Sequence, residues 1–383
     1  MAQKLLMAGN EAAGEGAICA GCDAYFGYPI TPQNEFPAYM ARRMPELGRV
    51  FIQAESELAA ISMVYGASAA GKRAMTSSSS PGISLKQEGI SYLAASQLPA
   101  VIANVQRGGP GLGNIGPSQG DYWQATRGGG HGDYRSIVLA PASVQEMFDL
   151  TARAFDLADR YRMCVIILAD AYLGQMMEPM VIPDDPFPPP PPKPWALTGC
   201  EGRLPNTVKS LFLGDGELER HNYQLFETYR RVEREETRWA SVAVEDADVV
   251  FVAYGFCARI CREVVVLGRS RGQRLGLIRP ITVWPFPKRP ILEAASHAIG
   301  FLVVEMSMGQ MVEDVRLALE GRSQVALLGR PAFVPEAGEV YDCAMALLEK
   351  NGSGCRVPGA GPQGRHRTRN PQPGTRNPEP GTR

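Results

Sequence analysis

The sequence predicts an α/β protein in which a doubly wound parallel sheet domain is followed by a smaller α/β domain. Three observations carry that expectation. Short apolar runs alternate with helical stretches through residues 1–180, the pattern of parallel strands joined by helical crossovers and covered on both faces. The alternation returns on a smaller scale over residues 246–345. A proline strip and a charged helical stretch separate the two units. At ~100–200 residues per domain, the 383 residues accommodate two such domains.

Taken in order, the first unit offers AYFGYPI, RVFIQA, RAMTSS, AVIANV, SIVLA and CVIILAD as strands, with helices over 10–20, 57–71, 82–97 and 143–161. PDDPFPPPPPKP at 183–194 cannot supply a ladder of backbone donors and is expected to be an extended polyproline II spacer. Residues 216–239 are charged and helical, a connecting arm. The second unit runs DVVFVAYG, a helix through Cys257–Ser270, LGLIRPI, a helix after Pro290, GFLVVEM, a helix within 309–320, and VALLG. Residues 351–383 are rich in Gly, Pro, Arg and Asn, with almost no apolar surface to offset ordering, and are expected to be disordered. The boundaries drawn are therefore 1–182, 183–245, 246–350 and 351–383.

Composition narrows the class. Hydrophobic residues at 45% and charged residues at 21% suit an ordinary soluble globular chain. No apolar run approaches the ~18 residues of a membrane-spanning helix, and the N-terminus lacks the apolar region of a secretory signal. A cytoplasmic protein with no membrane partner is expected. The net charge of −1 hides a tail of +5 and a body of −6. A body without basic surplus argues against nucleic acid as a partner, and the tail has no aromatic to stack a base. Eight Cys in a chain this long do not make a disulfide scaffold, and the cytosol would keep them reduced.

Ligands of parallel α/β sheets bind beyond the carboxyl ends of the strands. The residues following each strand are Thr31-Pro32-Gln33-Asn34-Glu35, Glu55-Ser56-Glu57, Ser78-Ser79-Ser80-Pro81-Gly82, and Arg107 with a glycine-rich loop. Each taken alone suits helix capping or a surface ion pair. Their convergence on one rim is what suggests a site. Five Gly between Arg107 and Ser118 let the backbone approach a ligand closely, though no Gly-Lys-Ser/Thr follows to make a P-loop. Ser77–Ser80 reads either as a helix cap with Pro in the first turn or as an anion seat at a helix start. His131 is either an acid–base group or a loop His bonded to backbone.

Other motifs lack what their chemistry needs. Cys19 and Cys22 form C-x-x-C without a second pair nearby and read as structural thiols. Cys257 and Cys261, one helical turn apart, read as buried small apolar positions. There is no C-x2-C-x2-C run for an iron–sulfur cluster. Gly214-Asp215-Gly216 imitates a thiamine-diphosphate magnesium motif, but Asn222 follows too soon to complete the oxygen ligands. It reads as a helix entrance. The Met-rich stretches at 176–177 and 306–311 read as core filling.

GNEAAGEGAICAGC, GYPITPQNEFPAYM, FIQAESELAAISMVYGASAAG, SSSSPGISLKQEGISYLA and RGGPGLGNIGPSQGDYWQATRGGGHGDYR together closely resemble the alpha-type subunit of 2-oxoacid:ferredoxin oxidoreductases. Within that group they look most like the 2-oxoisovalerate (branched-chain 2-oxoacid, 3-methyl-2-oxobutanoate) members. IRPITVWPFP and FLVVEMSMGQMVEDVRLALEG extend the likeness across roughly residues 5–335. Cys19 and the segment after 351 fall outside the pattern.

The resemblance implies a pyrimidine-type thiamine-diphosphate-binding domain followed by a transketolase C-terminal-like domain. It places the cofactor's diphosphate and Mg2+ on a separate beta subunit, and 4Fe-4S clusters on iron–sulfur and gamma-type partner subunits. Glu57 matches the acid that hydrogen-bonds the aminopyrimidine ring, favouring the tautomer able to take the thiazolium C2 proton. Thr31 matches the YPITP residue beside the substrate. Arg107 matches the arginine that grips the 2-oxoacid carboxylate with a fixed fork of donors. The implied reaction is oxidative decarboxylation of 2-oxoisovalerate with coenzyme A to isobutyryl-CoA, electrons passing to ferredoxin, by a chain inactive alone. The alternatives are a 2-oxoglutarate member, or a non-redox thiamine-dependent transketolase or decarboxylase subunit.

Overall fold

The computed structural model describes residues 3–184 and 187–349. The Gly/Pro/Arg tail lies outside the described residues. In chain order the elements are β1 (Gln3–Ala8), α1 (Gly9–Cys19), β2 (Ala24–Gly27), α2 (Glu35–Glu46), β3 (Val50–Gln53), α3 (Glu57–Ala69), β4 (Ala74–Ser78), α4 (Ser80–Ala95), β5 (Ala100–Gln106), α5 (Tyr122–Arg127), β6 (Ile137–Leu139), α6 (Val144–Tyr161), β7 (Cys164–Asp170), α7 (Ala171–Gln175) and β8 (Met177–Ile182). Then follow α8 (Glu217–Glu236), β9 (Trp239–Val242), β10 (Val249–Val252), α9 (Gly255–Ser270), β11 (Leu275–Pro280), β12 (Thr282–Trp284), α10 (Lys288–Ala294), β13 (Gly300–Glu305), α11 (Met311–Leu319), β14 (Gln324–Gly329) and α12 (Ala337–Leu348).

Seven strands make the larger sheet in the order β12-β6-β7-β5-β4-β2-β3, parallel except for β12. Its centre is covered on both faces: every residue of β5 and β7 is buried, which is why both read as unbroken apolar runs. The edge strand β3 instead exposes Val50 and Ile52. The smaller sheet runs β14-β13-β10-β11-β9, with only β9 antiparallel. Segments cross between the units. β12 pairs with β6, and β9 joins the smaller sheet immediately after α8.

Local chemistry sets the helices. On α6 the residues Val144, Met147, Phe148, Thr151 and Phe155 recur at helical spacing and are buried, the stripe of a core-facing helix. Ser143 caps it by accepting from the Glu146 N–H at 3.1 Å, and Arg162 closes it in the left-handed region. α1 packs against it through small residues, because a Cβ on Gly16 would stand 2.3 Å from the Phe148 carbonyl oxygen. No helix among the described residues is long and apolar enough to cross a membrane. Cys19, Cys22, Cys164, Cys200, Cys257 and Cys261 are free thiols, as expected. Cys343 departs from that expectation and is disulfide-bonded. Met306 and Met311 fill core, whereas Met177 and Met308 are exposed against expectation.

Candidate active site

From β2 the chain goes to β3 on one side, then returns through α3 to β4 on the other. Strand order therefore reverses beside β2, and such a reversal opens a crevice beyond the carboxyl ends of the strands. Thr31, Glu57, Ser78, Ser79 and Arg107 all lie at this edge.

Glu57 opens α3, with Ser56 as the cap that accepts from the Ala59 N–H at 3.2 Å. The residue is 6% exposed, and no group among the described residues donates a hydrogen bond to its carboxylate. It lies over the first turn of α4. A Cβ on Gly82 would stand 2.5 Å from Glu57 Oε1 and 2.0 Å from Ser78 Oγ, so glycine lets the acid sit this close to α4 without displacing either side chain. One turn further along α4, the fully buried Lys86 donates from Nζ to the Glu57 backbone oxygen at 3.3 Å. Burial pushes the Lys86 ammonium down to about 8, opposed by the charge of Glu57.

The serine run divides by role. Ser77 is spoken for, bonded to the Tyr25 hydroxyl at 2.5 Å and donating to Gln33 Oε1. Ser79 occupies the cap position of α4 but makes no cap bond. Pro81 has no N–H to offer, and the Gly82 N–H goes to the Ser79 carbonyl at 2.7 Å. The hydroxyls of Thr76, Ser78 and Ser79 and the Asn104 Oδ1 are buried without a partner. Buried polar atoms left unpaired cost roughly 1–3 kcal/mol each, so Ser78, Ser79 and Asn104, which neighbour one another across β4 and β5, mark a place suited to another group.

Arg107, 9% exposed, directly follows β5. Its Nη1 donates to the Thr31 carbonyl at 2.9 Å and its Nη2 to the Leu112 carbonyl at 3.2 Å. Among the described residues no carboxylate pairs with it, so the alternative of a surface ion pair is not what the structure shows, and Nε is buried without a partner. The Ser80 hydroxyl accepts from the Arg107 N–H at 3.0 Å and donates to Asp121 Oδ2 at 2.6 Å. Asn104 Nδ2 donates to the same carboxylate oxygen at 2.9 Å. Burial raises the Asp121 carboxyl above its ordinary value, while the Ser80 and Asn104 bonds oppose the rise.

The smaller domain pins the far end of the glycine-rich loop. Gln119, fully buried, donates from Nε2 to the Tyr254 carbonyl at 3.0 Å and accepts from the Met306 N–H at 3.0 Å. Gln310 Nε2 reaches the Gly120 carbonyl at 2.7 Å. Earlier in the same loop Leu112 and Ile115 are exposed.

Thr31 and Arg107 are thus brought into contact, and Glu57 sits beside the Ser78–Gly82 turn. Glu55 is exposed, and Glu35 accepts from Asn10 Nδ2 at 2.8 Å. His131 is exposed and sets its ring edge-on to Tyr92, and among the described residues it makes no backbone hydrogen bond of the kind its loop suggested. Sequence reasoning missed Lys86, Asn104, Asp121 and Gln119. A lysine on the buried stripe Gly82–Ile83–Lys86–Ile90 of α4 was the available signal. A cleft of about 770 Å3 between α9, β9 and Ser143–Glu146 involves none of these groups. Among the described residues no group of three or more His, Cys, Asp or Glu is placed to hold a metal ion.

Comparison with known proteins agrees across most of the chain. Residues 15–237 match the family described as pyruvate flavodoxin/ferredoxin oxidoreductase, thiamine diphosphate-binding. Residues 247–332 match pyruvate:ferredoxin oxidoreductase core domain II. The chain is 54% identical to the ketoisovalerate oxidoreductase subunit VorB of Methanothermobacter thermautotrophicus, over 85% of this chain and 92% of that one. It is 38% identical to the 2-oxoglutarate synthase subunit KorA of Methanothermobacter marburgensis, over 86% and 94%. Among solved structures, a 2-oxoglutarate:ferredoxin oxidoreductase from Magnetococcus marinus superposes with a TM-score of 0.79 at 25% identity, covering 90% of this chain and 65% of that one. A split-gene transketolase shares the fold at a TM-score of 0.56 and 15% identity, covering 90% and 97%.

Proposed function

The chain belongs to the 2-oxoacid:ferredoxin oxidoreductase family, and from that premise we propose that its rim is the pyrimidine half of a thiamine-diphosphate site acting on a branched-chain 2-oxoacid. The observation that carries this reading is the Glu57 carboxylate, nearly buried yet unpaired, seated over Gly82 at the strand reversal. An acceptor so placed fits the N–H of an aminopyrimidine ring. Orphaned Ser78, Ser79 and Asn104 oxygens beside it fit further cofactor or substrate donors.

Thiamine diphosphate, when bound, supplies the nucleophilic carbon and the electron sink for decarboxylation. The chain's residues do the rest of the positioning. Glu57 holds the aminopyrimidine in the proton-accepting tautomer. Arg107, with Nη1 and Nη2 already tied to the Thr31 and Leu112 carbonyls, turns its free Nε and remaining N–H groups toward a 2-oxoacid carboxylate, a planar match. Thr31 stands beside that carboxylate. Residues 108–120 carry no charged side chain, while Leu112 and Ile115 are exposed apolar groups. This favours an aliphatic substrate over 2-oxoglutarate, whose distal carboxylate would meet no cation in this loop.

The balanced reaction converts 2-oxoisovalerate and coenzyme A into isobutyryl-CoA, CO2, a proton and two electrons, passed singly to ferredoxin. We assign the cofactor's diphosphate and Mg2+ to a beta subunit, the 4Fe-4S clusters to iron–sulfur and gamma-type subunits, and the working complex to the cytoplasm. The subunit names of the relatives support a multi-subunit assembly. The isolated chain is then inactive. The test is anaerobic, coenzyme-A-dependent reduction of a viologen dye by the complex purified through this chain, comparing 2-oxoisovalerate, 2-oxoglutarate and pyruvate. Highest kcat/KM for the branched acid supports the assignment, and preference for 2-oxoglutarate refutes it.

A further inference from the structure

Lys86 is hard to explain as a structural residue. It is fully buried, and its one hydrogen bond goes to a neutral acceptor, the Glu57 carbonyl at 3.3 Å. Among the described residues no carboxylate lies within ion-pair distance of its ammonium. A buried charge without a paired counter-charge is destabilising. Its position adds a second penalty, because the first turn of α3 is the positive end of that helix dipole, where cations are disfavoured. An apolar side chain of the same length would serve the packing of α3 on α4 better on both counts.

What the cation does have is Glu57. Gly82 and Lys86 are four residues apart on α4 and so stand on one face. Gly82 makes room for the Glu57 carboxylate, and Lys86 meets the backbone of the same residue one turn on. Glu57 is also the charged group that acts on the Lys86 ammonium.

We infer that Lys86 is a positioning residue, whose buried positive charge holds the Glu57 carboxylate fixed against the cofactor's aminopyrimidine. The inference rests on the proposed role of Glu57. Attraction between the buried ammonium and the carboxylate opposes rotation of the acid out of the site. The hydrogen bond to the Glu57 carbonyl anchors the start of α3, so that the carboxylate does not drift with the helix end.

The experiment uses the assembled complex carrying Lys86→Met, Lys86→Gln or Glu57→Gln. Two properties are read: melting temperature without cofactor, and exchange of the bound cofactor's thiazolium C2 proton with solvent deuterium. Steady-state kinetics accompany them. Lys86→Met is expected to melt at the same or higher temperature. Its C2 exchange and kcat should fall roughly 10- to 100-fold, the usual scale for a displaced catalytic group, with KM for the 2-oxoacid unchanged. Lys86→Gln, which keeps a donor without charge, should fall equally. Wild-type exchange in Lys86→Met overturns the inference, and so does recovery in Lys86→Gln, which would credit the hydrogen bond alone. Glu57→Gln separates the two readings. If it abolishes exchange while Lys86→Met does not, only the Lys86 inference fails, whereas wild-type exchange in Glu57→Gln removes the reading beneath it.

Discussion

Gly82→Ala probes the site with a single carbon. The added Cβ would stand 2.0 Å from Ser78 Oγ and 2.5 Å from Glu57 Oε1, whereas unstrained heavy-atom contacts lie near 3.5 Å or beyond. The carboxylate must therefore retreat by about 1 Å, because the α4 backbone is fixed in a packed helix and Glu57 is the movable partner. In stability the change is nearly balanced. Alanine gains about 0.5–1 kcal/mol over glycine inside a helix, against about 1–3 kcal/mol for overpacking. The net loss is on the order of 1 kcal/mol, a few degrees of melting temperature for chains of this size. For activity, a displacement of about 1 Å costs on the order of 100-fold. Anaerobic dye reduction and thermal melting of the same preparation then give a large loss of kcat beside a small shift in melting. Activity within threefold of wild type would refute the placement of Glu57 over Gly82 as the working geometry.

Arg107→Lys should raise KM for the 2-oxoacid by roughly 10- to 100-fold in steady-state assays, since a single ammonium cannot bond the Thr31 and Leu112 carbonyls while offering a planar pair of donors to substrate. Leu112→Arg should move the kcat/KM ratio toward 2-oxoglutarate by roughly 10- to 200-fold, read by competing that acid against 2-oxoisovalerate. Lys86 also carries a pH signature. Its folded-state value, depressed to about 8 from an ordinary ~10.4, means that folding disfavours its charged form. The cost is present below pH 8 and disappears as pH rises through the unfolded value. Melting of the cofactor-free protein between pH 7.5 and 10 should therefore show wild type gaining on Lys86→Met by up to roughly 3 kcal/mol, and a constant difference would contradict it.

The strands were legible where burial on both faces forces an apolar run. CVIILAD and AVIANV appear as β7 and β5, fully buried at the sheet centre. Glu57, Thr31 and Arg107 were legible as residues that follow strands, because a parallel sheet gathers such positions on one edge. Strand order was not, since it depends on where each crossover lands rather than on the residues of the strand itself. β12 has three residues, too few for any period to show, and pairs with a strand far from it in the chain. Lys86 escaped notice because α4 mixes Ser, Gly, Lys and Gln into its buried face, blurring the apolar stripe that would expose a misplaced cation. Asp121 and Gln119 sit in a loop whose partners come from β5 and from the smaller domain, which no local pattern encodes. The cap that was one of two readings of Ser77–Ser80 is not made by the Ser79 hydroxyl, since Pro81 has no N–H and the Gly82 N–H goes to the Ser79 carbonyl.

The most direct test of the whole account is Glu57→Gln in the assembled complex, with bound thiamine diphosphate quantified beside turnover of 2-oxoisovalerate. The account predicts a folded complex that retains the cofactor through its partner's contacts and loses turnover by at least roughly 100-fold, the lower range for removing an acid–base contribution. A variant that binds cofactor and turns over at the wild-type rate would show that the carboxylate over Gly82 does not activate it, and the site would have to be sought elsewhere on the chain.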